Sequence, residues 1–164
     1  MENKVSERYL TLRERVLRYS YRDMNLSLDN DEQVYIAVFD IPLKSNIIGF
    51  QTQTLALVFG LNTHIYHGSG NVMVDLEKNA EVMKAMQSVL ISSHQVLGSM
   101  EKTENIEYYE SKNVRVYLKT KKGIYFKELE GDSKEDRFLL MLMNHVLGAV
   151  SYTHLRAHET CADL

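Results

Sequence analysis

The residues of this 164-residue chain that could perform acid–base chemistry are one aspartate and two histidines beside apolar segments. Asp40 stands near the end of the apolar segment VYIAVFDI (34–41). His64 or His67, on a neighbouring strand, could exchange a proton with its carboxylate. The competing interpretation is an aspartate that accepts backbone hydrogen bonds where the chain turns at Pro42. The sequence favours this structural role for Asp40.

The same two histidines are the candidates for a metal site. Side chains alternate between the faces of a strand, so two ligands on one strand must be two residues apart. His64 and His67 are three residues apart, which predicts opposite faces. No cysteine and no acidic cluster near them completes a ligand set. The sequence therefore predicts no metal ion and no other cofactor.

One group of basic residues follows the first predicted helix, on the side opposite its apolar stripe. Its members are Lys4, Arg8, Arg15, Arg18 and Arg22. The competing interpretation is an ordinary solvated helix face, which the sequence favours.

A second basic group follows the predicted strand 113–120, whose residues alternate between apolar and polar. Val114, Val116 and Leu118 are expected to face the core, which leaves Arg115, Tyr117 and Lys119 in solvent. If the following turn pairs Thr120 with Ile124, the same face gains Tyr125 and Lys127. Basic residues interleaved with tyrosines are typical of surfaces that bind single-stranded nucleic acids. Acidic residues nearby oppose that function, so nucleic acid is the less favoured partner: Glu107, Glu110 and Glu130.

Hydrophobic periodicity predicts the elements that position these residues. Helices are expected over residues 4–20, from the N-cap Asn79 to Gly98, and from the capping sequence 133–136 onward. Strands are expected at 34–41, 54–60, 64–67, 113–120 and 124–129, with 106–110 as a candidate extra strand. This α-β-β-β-α-β-β-α order predicts a single α+β domain of two layers, with helices packed on a mostly antiparallel sheet of about five strands. The order resembles in layout that of cytosolic secretion chaperones and, less closely, of roadblock-type adaptor domains.

The last fifteen residues differ in origin from the rest of the chain. The string VSYTHLRAHET (150–160) resembles one reading frame of an adapter used in sequencing libraries. We therefore expect a C-terminally truncated domain at residues 1–149, with its true C-terminus beyond Gly148 missing. Residues 150–164 are then a non-native tail that contributes nothing to the core. The tail contains the only cysteine, Cys161, and two histidines, His154 and His158, which are expected to carry no chemistry.

Composition excludes several classes of protein. The net charge is −3, and without the tail 18 basic and 20 acidic residues leave −2, because the tail holds Arg156, Glu159 and Asp163. A weakly acidic chain has no bulk attraction to nucleic acid or anionic lipid. The N-terminus lacks a continuous apolar segment of the signal-peptide type. No apolar run approaches the roughly 20 residues of a membrane helix. We expect a cytoplasmic protein with no membrane contact.

These patterns predict a small non-catalytic protein-interaction factor, of the adaptor, chaperone-like or immunity-type regulatory kind. No coherent catalytic set is present. The many tyrosines favour an interface, since their rings are apolar and their hydroxyl groups polar. A homodimer is expected, and the sequence does not identify the protein partner. The alternatives are a nucleic-acid-associated protein that uses the basic and tyrosine strand face, and an enzyme that uses Asp40 with His64 or His67.

Overall fold

The computed structural model describes residues 5–43, 51–60 and 62–162, with only the backbone for residues 51 and 153–162. Lys4, part of the predicted basic stripe, lies outside these ranges. The elements are α1 (Glu7–Arg18), β1 (Ile36–Leu43), β2 (Gln51–Val58), β3 (Asn62–His67), β4 (Val72–Met73), α2 (Ala80–Ser92), β5 (Glu101–Thr103), β6 (Val114–Thr120), β7 (Gly123–Leu129) and α3 (Lys134–Ala162). The predicted α+β class and element order are confirmed.

The described strands form one antiparallel sheet in the order β4-β3-β2-β1-β6-β7-β5. The sheet has seven strands where about five were expected, because β4 and β5 contain only two and three residues. Segments this short are below the length at which alternation can be recognised in a sequence. The candidate extra strand at 106–110 is not a strand.

The central strand β1 is buried on both faces, as its continuous apolar sequence predicts. It continues through Pro42, which was expected to end it. The pairing of β1 with β6 stops at Asp40, whereas its pairing with β2 continues to Leu43. Pro42 therefore lies where β1 pairs with β2 but no longer with β6. Proline is tolerated there because the missing N–H interrupts no pairing with β6.

Helices cover both faces of the sheet. α2 and α3 pack on one face, against a cluster that includes Phe39, Leu57 and Leu118. α1 packs on the other face, where Tyr9 and Leu17 meet a second cluster. The domain has three layers where two were expected, because a sheet that is apolar on both faces must be covered on both. Within the described ranges, no helix is both long and apolar enough to cross a membrane.

Two of the predicted helix starts are confirmed. The Asn79 side chain accepts hydrogen bonds from the backbone N–H groups of Glu81 and Val82, which makes it the N-cap of α2. Ser133 accepts from the N–H of Asp136 in the first turn of α3. The predicted end of α2 at Gly98 is wrong, because the α-helix stops at Ser92 and a tighter 3₁₀ segment follows.

The core continues into the first residue of the predicted tail. Val150 is 6% exposed and belongs to the cluster between the sheet and α3. Ser151, the next residue, is exposed. Packing therefore extends past the expected boundary at Ala149 to include Val150.

This packing makes a testable prediction about the boundary. We expect Val150→Ala to lower the free energy of unfolding by about 1–2 kcal/mol, because it removes two buried methyl groups. Ser151→Ala, one residue further along the same helix, serves as the control and should change stability by less than about 0.5 kcal/mol. Urea unfolding measures both. Equal stability of Val150→Ala and the parent chain would return the boundary to Ala149.

Candidate functional site

Asp40 takes part in a buried ion pair on the α1 side of β1. It is 1% exposed, and its partner Arg13 is 2% exposed. Arg13 Nε donates to both carboxylate oxygens at 3.1 and 3.0 Å, and Arg13 Nη2 donates to Oδ2 at 2.7 Å. Thr54 Oγ1 donates to Oδ1 at 2.7 Å. This forked, charge-assisted geometry fixes the carboxylate and helps to join α1 to the sheet.

Two further groups complete the cluster around the ion pair. The hydroxyl groups of Tyr9 and Thr54 are 2.5 Å apart. Because Thr54 already donates to Asp40, the Tyr9 hydroxyl is the donor to Thr54. Burial raises the pKa of Tyr9, and the nearby Asp40 charge raises it further. Arg13 Nη1 donates to the carbonyl of Ile106 at 2.6 Å, which ties the segment before β6 to α1.

The structure does not assemble the predicted site of Asp40 with His64 or His67. Ala56 on β2 pairs with Val38 of β1 on one side and with His64 of β3 on the other. His64 therefore lies opposite Val38, two strands away from β1. Two strand spacings are about 10 Å. The alternation along β3 places His67 on the opposite face of the sheet. Within the described part of the chain, no group of three or more His, Cys, Asp or Glu residues could hold a metal ion.

The prediction that one face of β6 lies in solvent is wrong. Arg115 is fully buried and Tyr117 is 2% exposed. The Arg115 guanidinium donates to the carbonyls of three residues that precede β6, namely Tyr109, Ser111 and Asn113. Lys119 Nζ donates to the carbonyls of Leu17, at 2.7 Å, and Tyr19 at the end of α1. These residues face inward because α1 and the segment before β6 cover this side of the sheet.

The pairing of β6 with β7 has a different register from the predicted one. Thr120 pairs with Gly123, not with Ile124, and Gly123 adopts a φ of +128°. A one-residue shift moves every side chain of a strand to the other face. Tyr125 and Lys127 therefore lie on the α3 side, where Lys127 Nζ is 3.0 Å from Asp136 Oδ1. The five residues predicted to form a nucleic-acid surface do not share a surface.

The ion pair of Arg13 was not predicted, although the sequence contains a signal for it. Positions 9, 13 and 16 share one side of a helix, and the flanking residues Tyr9 and Val16 are buried. A charged residue within an apolar stripe is a candidate for a buried ion pair, since an unpaired buried charge is costly.

The basic residues predicted to follow the first helix lie in different environments. Arg18 Nε is 2.7 Å from Glu14 on the same helix. Arg22 lies beyond the end of α1, and its guanidinium is 5.5 Å from the ring centre of Tyr21. Arg8 and Arg15 remain, and both line a groove between α1 and the β3 edge of the sheet.

This groove, the basic groove, has a volume of about 480 Å³. One wall is a side of α1 on which residues recur at helical spacing: Arg8, Leu12, Arg15, Val16 and Tyr19. The other wall comes from the sheet and its edge: Val58, Asn62, His64, Tyr66, Val72 and Val74. The sequence could not place these walls together, because they are about 40 to 65 positions apart in the chain.

The basic groove combines an apolar floor with a cationic rim. Val16, Val58 and Tyr66 are each at most 5% exposed, whereas Arg8 and Arg15 are exposed. No acidic residue lines the groove, and neither arginine forms an ion pair within the described ranges. His64 adds a buried ring nitrogen, Nδ1, that has no hydrogen-bond partner among the described residues.

The polar groups of the groove are suited to binding an anion. Burial raises the pKa of Tyr66 to about 12, with Tyr19 raising it and Arg15 opposing the shift. The Tyr66 hydroxyl is therefore neutral near pH 7 and adds no negative charge beside the arginines. A ligand with negative groups over an apolar body would match both the rim and the floor.

Comparisons of this chain with protein-family models, with curated proteins and with solved structures found no match.

Proposed function

We propose that this protein is a small non-catalytic protein-interaction factor, which binds an acidic, partly apolar segment of a partner protein in the basic groove. The observation that carries this proposal is the position of Arg8 and Arg15 above a buried apolar floor: among the described residues neither arginine has an ion pair, and none of those that line the groove is acidic. Opposite charges across an interface steer association and set specificity.

The dimensions of the groove favour a short peptide segment. The stretch of α1 from Arg8 to Tyr19 is about 16 Å long at 1.5 Å per residue. An extended peptide covers that distance with about five residues. Alternate side chains of such a peptide point in opposite directions, so one set could rest on the apolar floor and the other could meet the arginines.

Nucleic acid is a weaker candidate for this site. Strong binding to a phosphate backbone uses several cationic contacts, typically about 6–10 in a tight complex. The basic groove offers Arg8 and Arg15, and the whole chain carries a net charge of −3 that repels a polyanion. The apolar floor would also remain uncovered by phosphates.

Catalysis is also less favoured than binding. Asp40, the carboxylate of the predicted acid–base pair, has both oxygens engaged by Arg13 or Thr54. The described lining of the basic groove contains no carboxylate beside His64 and no serine or cysteine nucleophile. A groove without these groups can hold a ligand but lacks the usual means of acid–base or covalent chemistry.

The test uses a fluorescent eight-residue peptide of alternating Glu and Leu, with a Lys and Leu peptide as its charge-reversed counterpart. We expect the acidic peptide to bind and Arg15→Glu to weaken that binding by at least tenfold, because the substitution puts a negative charge at the rim. Fluorescence anisotropy measures the affinity at two salt concentrations. We expect weaker binding at the higher concentration, because salt screens the charges.

Arg18→Glu is the matched control, since Arg18 is on the same helix but does not line the basic groove. It should leave the affinity for the acidic peptide within about twofold, as expected for a screened surface charge. Equal losses in the two variants would contradict the proposal. Tighter binding of single-stranded DNA than of the acidic peptide, lost with Arg15→Glu, would favour the nucleic-acid alternative instead.

A further inference from the structure

A second concave surface lies where the turn after β2 meets α2. Two cavities, of about 490 and 220 Å³, adjoin there and share Phe59, Leu90 and Ile91 in their linings. We call this continuous surface the α2 trough. It lies on the face of the sheet that α2 covers, whereas the basic groove lies on the face that α1 covers.

The α2 trough exposes large apolar side chains side by side. Ile91 is 68% exposed and Phe59 is 38% exposed. Single exposed apolar residues are ordinary on protein surfaces, but these two line the same concavity. Met83 and Met86 line its inner end. Methionine side chains are flexible and polarisable, so they adapt to varied partners.

The outer end of the α2 trough is acidic. Asp29 and Glu32, from the connector between α1 and β1, line it beside His94. The connector is folded on itself by two local hydrogen bonds, from the N–H of Asp29 to Gln33 Oε1 at 2.6 Å and from the N–H of Glu32 to Asn30 Oδ1 at 2.8 Å. These bonds fix the backbone from which Asp29 and Glu32 project at the mouth of the trough.

Neither Asp29 nor Glu32 forms an ion pair within the described ranges, and no lysine or arginine lines either cavity. The charge pattern is therefore the reverse of that in the basic groove. Each concavity has an apolar interior, but the arginines of one are replaced by carboxylates in the other.

We infer that the α2 trough is a second docking site, which takes a basic, partly apolar segment of a partner protein. Its carboxylates match lysine or arginine side chains, and Phe59, Ile91 and the methionines match an apolar body. Because the two sites are on opposite faces of the sheet and have opposite charge, one molecule can hold two different segments at once. This inference rests on the trough alone and does not require that the basic groove be occupied.

The experiment uses the fluorescent Lys and Leu peptide with the full chain. We expect it to bind, and we expect Ile91→Asp to weaken that binding by at least tenfold, because an aspartate interrupts the apolar surface. The double variant Asp29→Lys, Glu32→Lys should weaken it to a similar extent by reversing the charge at the mouth. All three positions are exposed, so the fold should persist, which circular dichroism checks.

Met141→Asp is the matched control, since Met141 is a second exposed apolar residue, 56% exposed on α3, that does not line the trough. It should leave the affinity unchanged, and so should Arg15→Glu in the basic groove. Loss of acidic-peptide binding therefore tests the proposed function, and loss of basic-peptide binding tests the trough. Equal effects of Ile91→Asp and Met141→Asp would overturn the inference. A dimer in sedimentation that Ile91→Asp dissociates would also overturn it, because the occupant would then be a second copy of the chain.

Discussion

Arg13→Met should lower the free energy of unfolding by about 3–5 kcal/mol, the largest loss that we expect from a single substitution in this protein. The substitution leaves the Asp40 carboxylate 1% exposed without its cationic partner. A buried charge that has lost its partner must either stay desolvated or bind a proton, and both cost free energy. The substitution also removes the hydrogen bond to the Ile106 carbonyl. Urea unfolding at pH 7 measures the loss as a lower midpoint.

The matched control is Arg18→Met, which removes an arginine from the next turn of the same helix. The Arg18–Glu14 pair is well exposed, with side-chain exposures of 66% and 54%. Surface pairs of this kind are worth about 0–1 kcal/mol, so the control should differ little from the parent. The comparison separates the burial of the Arg13 charge from the change of residue type.

A second variant tests whether the loss comes from the unpaired charge. Arg13→Met combined with Asp40→Leu replaces both members of the pair with apolar groups, which often restores most of the stability. A double variant as unstable as the single one would show that packing, not charge, dominates. If Asp40→Asn kept or raised the stability while it removed a measurable turnover, the enzyme alternative would regain support.

Asp136→Asn should lower the free energy of unfolding by about 2–3 kcal/mol at pH 7, because it weakens several charge-assisted hydrogen bonds at once. Asp136 Oδ2 accepts from the N–H groups of Glu130 and Gly131 at 3.0 and 3.1 Å, and Oδ1 is 3.0 Å from Lys127 Nζ. The side chain is 3% exposed. It therefore joins β7, the following turn and the start of α3.

The same residue predicts a dependence of stability on pH. Burial alone would raise the pKa of Asp136, but the Lys127 ammonium group and a hydrogen bond from the Gly131 N–H hold that pKa below its usual value. A carboxyl group whose pKa is lower in the folded state stabilises the fold above its unfolded pKa of about 3.9. The contribution is lost as the pH falls through the lowered pKa of the folded state. The stabilities of the parent and Asp136→Asn should therefore converge below about pH 4.

Asp132→Asn is the control for both measurements. Asp132 is exposed and precedes the same helix, and only its backbone carbonyl has a described hydrogen bond, with Arg137. Its substitution should change stability by less than about 0.5 kcal/mol at every pH between 7 and 2. A constant gap between the parent and Asp136→Asn across that range would contradict the assignment of the pH dependence to this carboxyl group.

Most of the element order follows from local sequence patterns. The apolar stripe of α1 and the alternation in β6 each repeat within a few residues, so they are visible without any knowledge of the fold. The continuous apolar sequence of β1 likewise indicated a strand that is covered on both faces. Asn79 could be identified as an N-cap because capping depends only on the two or three residues that follow it.

Which side chains are accessible, and which of them come into contact, depends on the packing of distant elements. Alternation separates the two faces of β6 but cannot say that α1 covers the second one, so Arg115 was expected in solvent and is buried. One residue of register in the β6–β7 turn moved Lys127 to the other face. Arg13 and Asp40 are 27 residues apart in the chain, and the walls of the basic groove are further apart still. The physical reason is that periodicity is a local property of the chain, whereas burial, ion pairing and groove formation depend on how distant elements pack together.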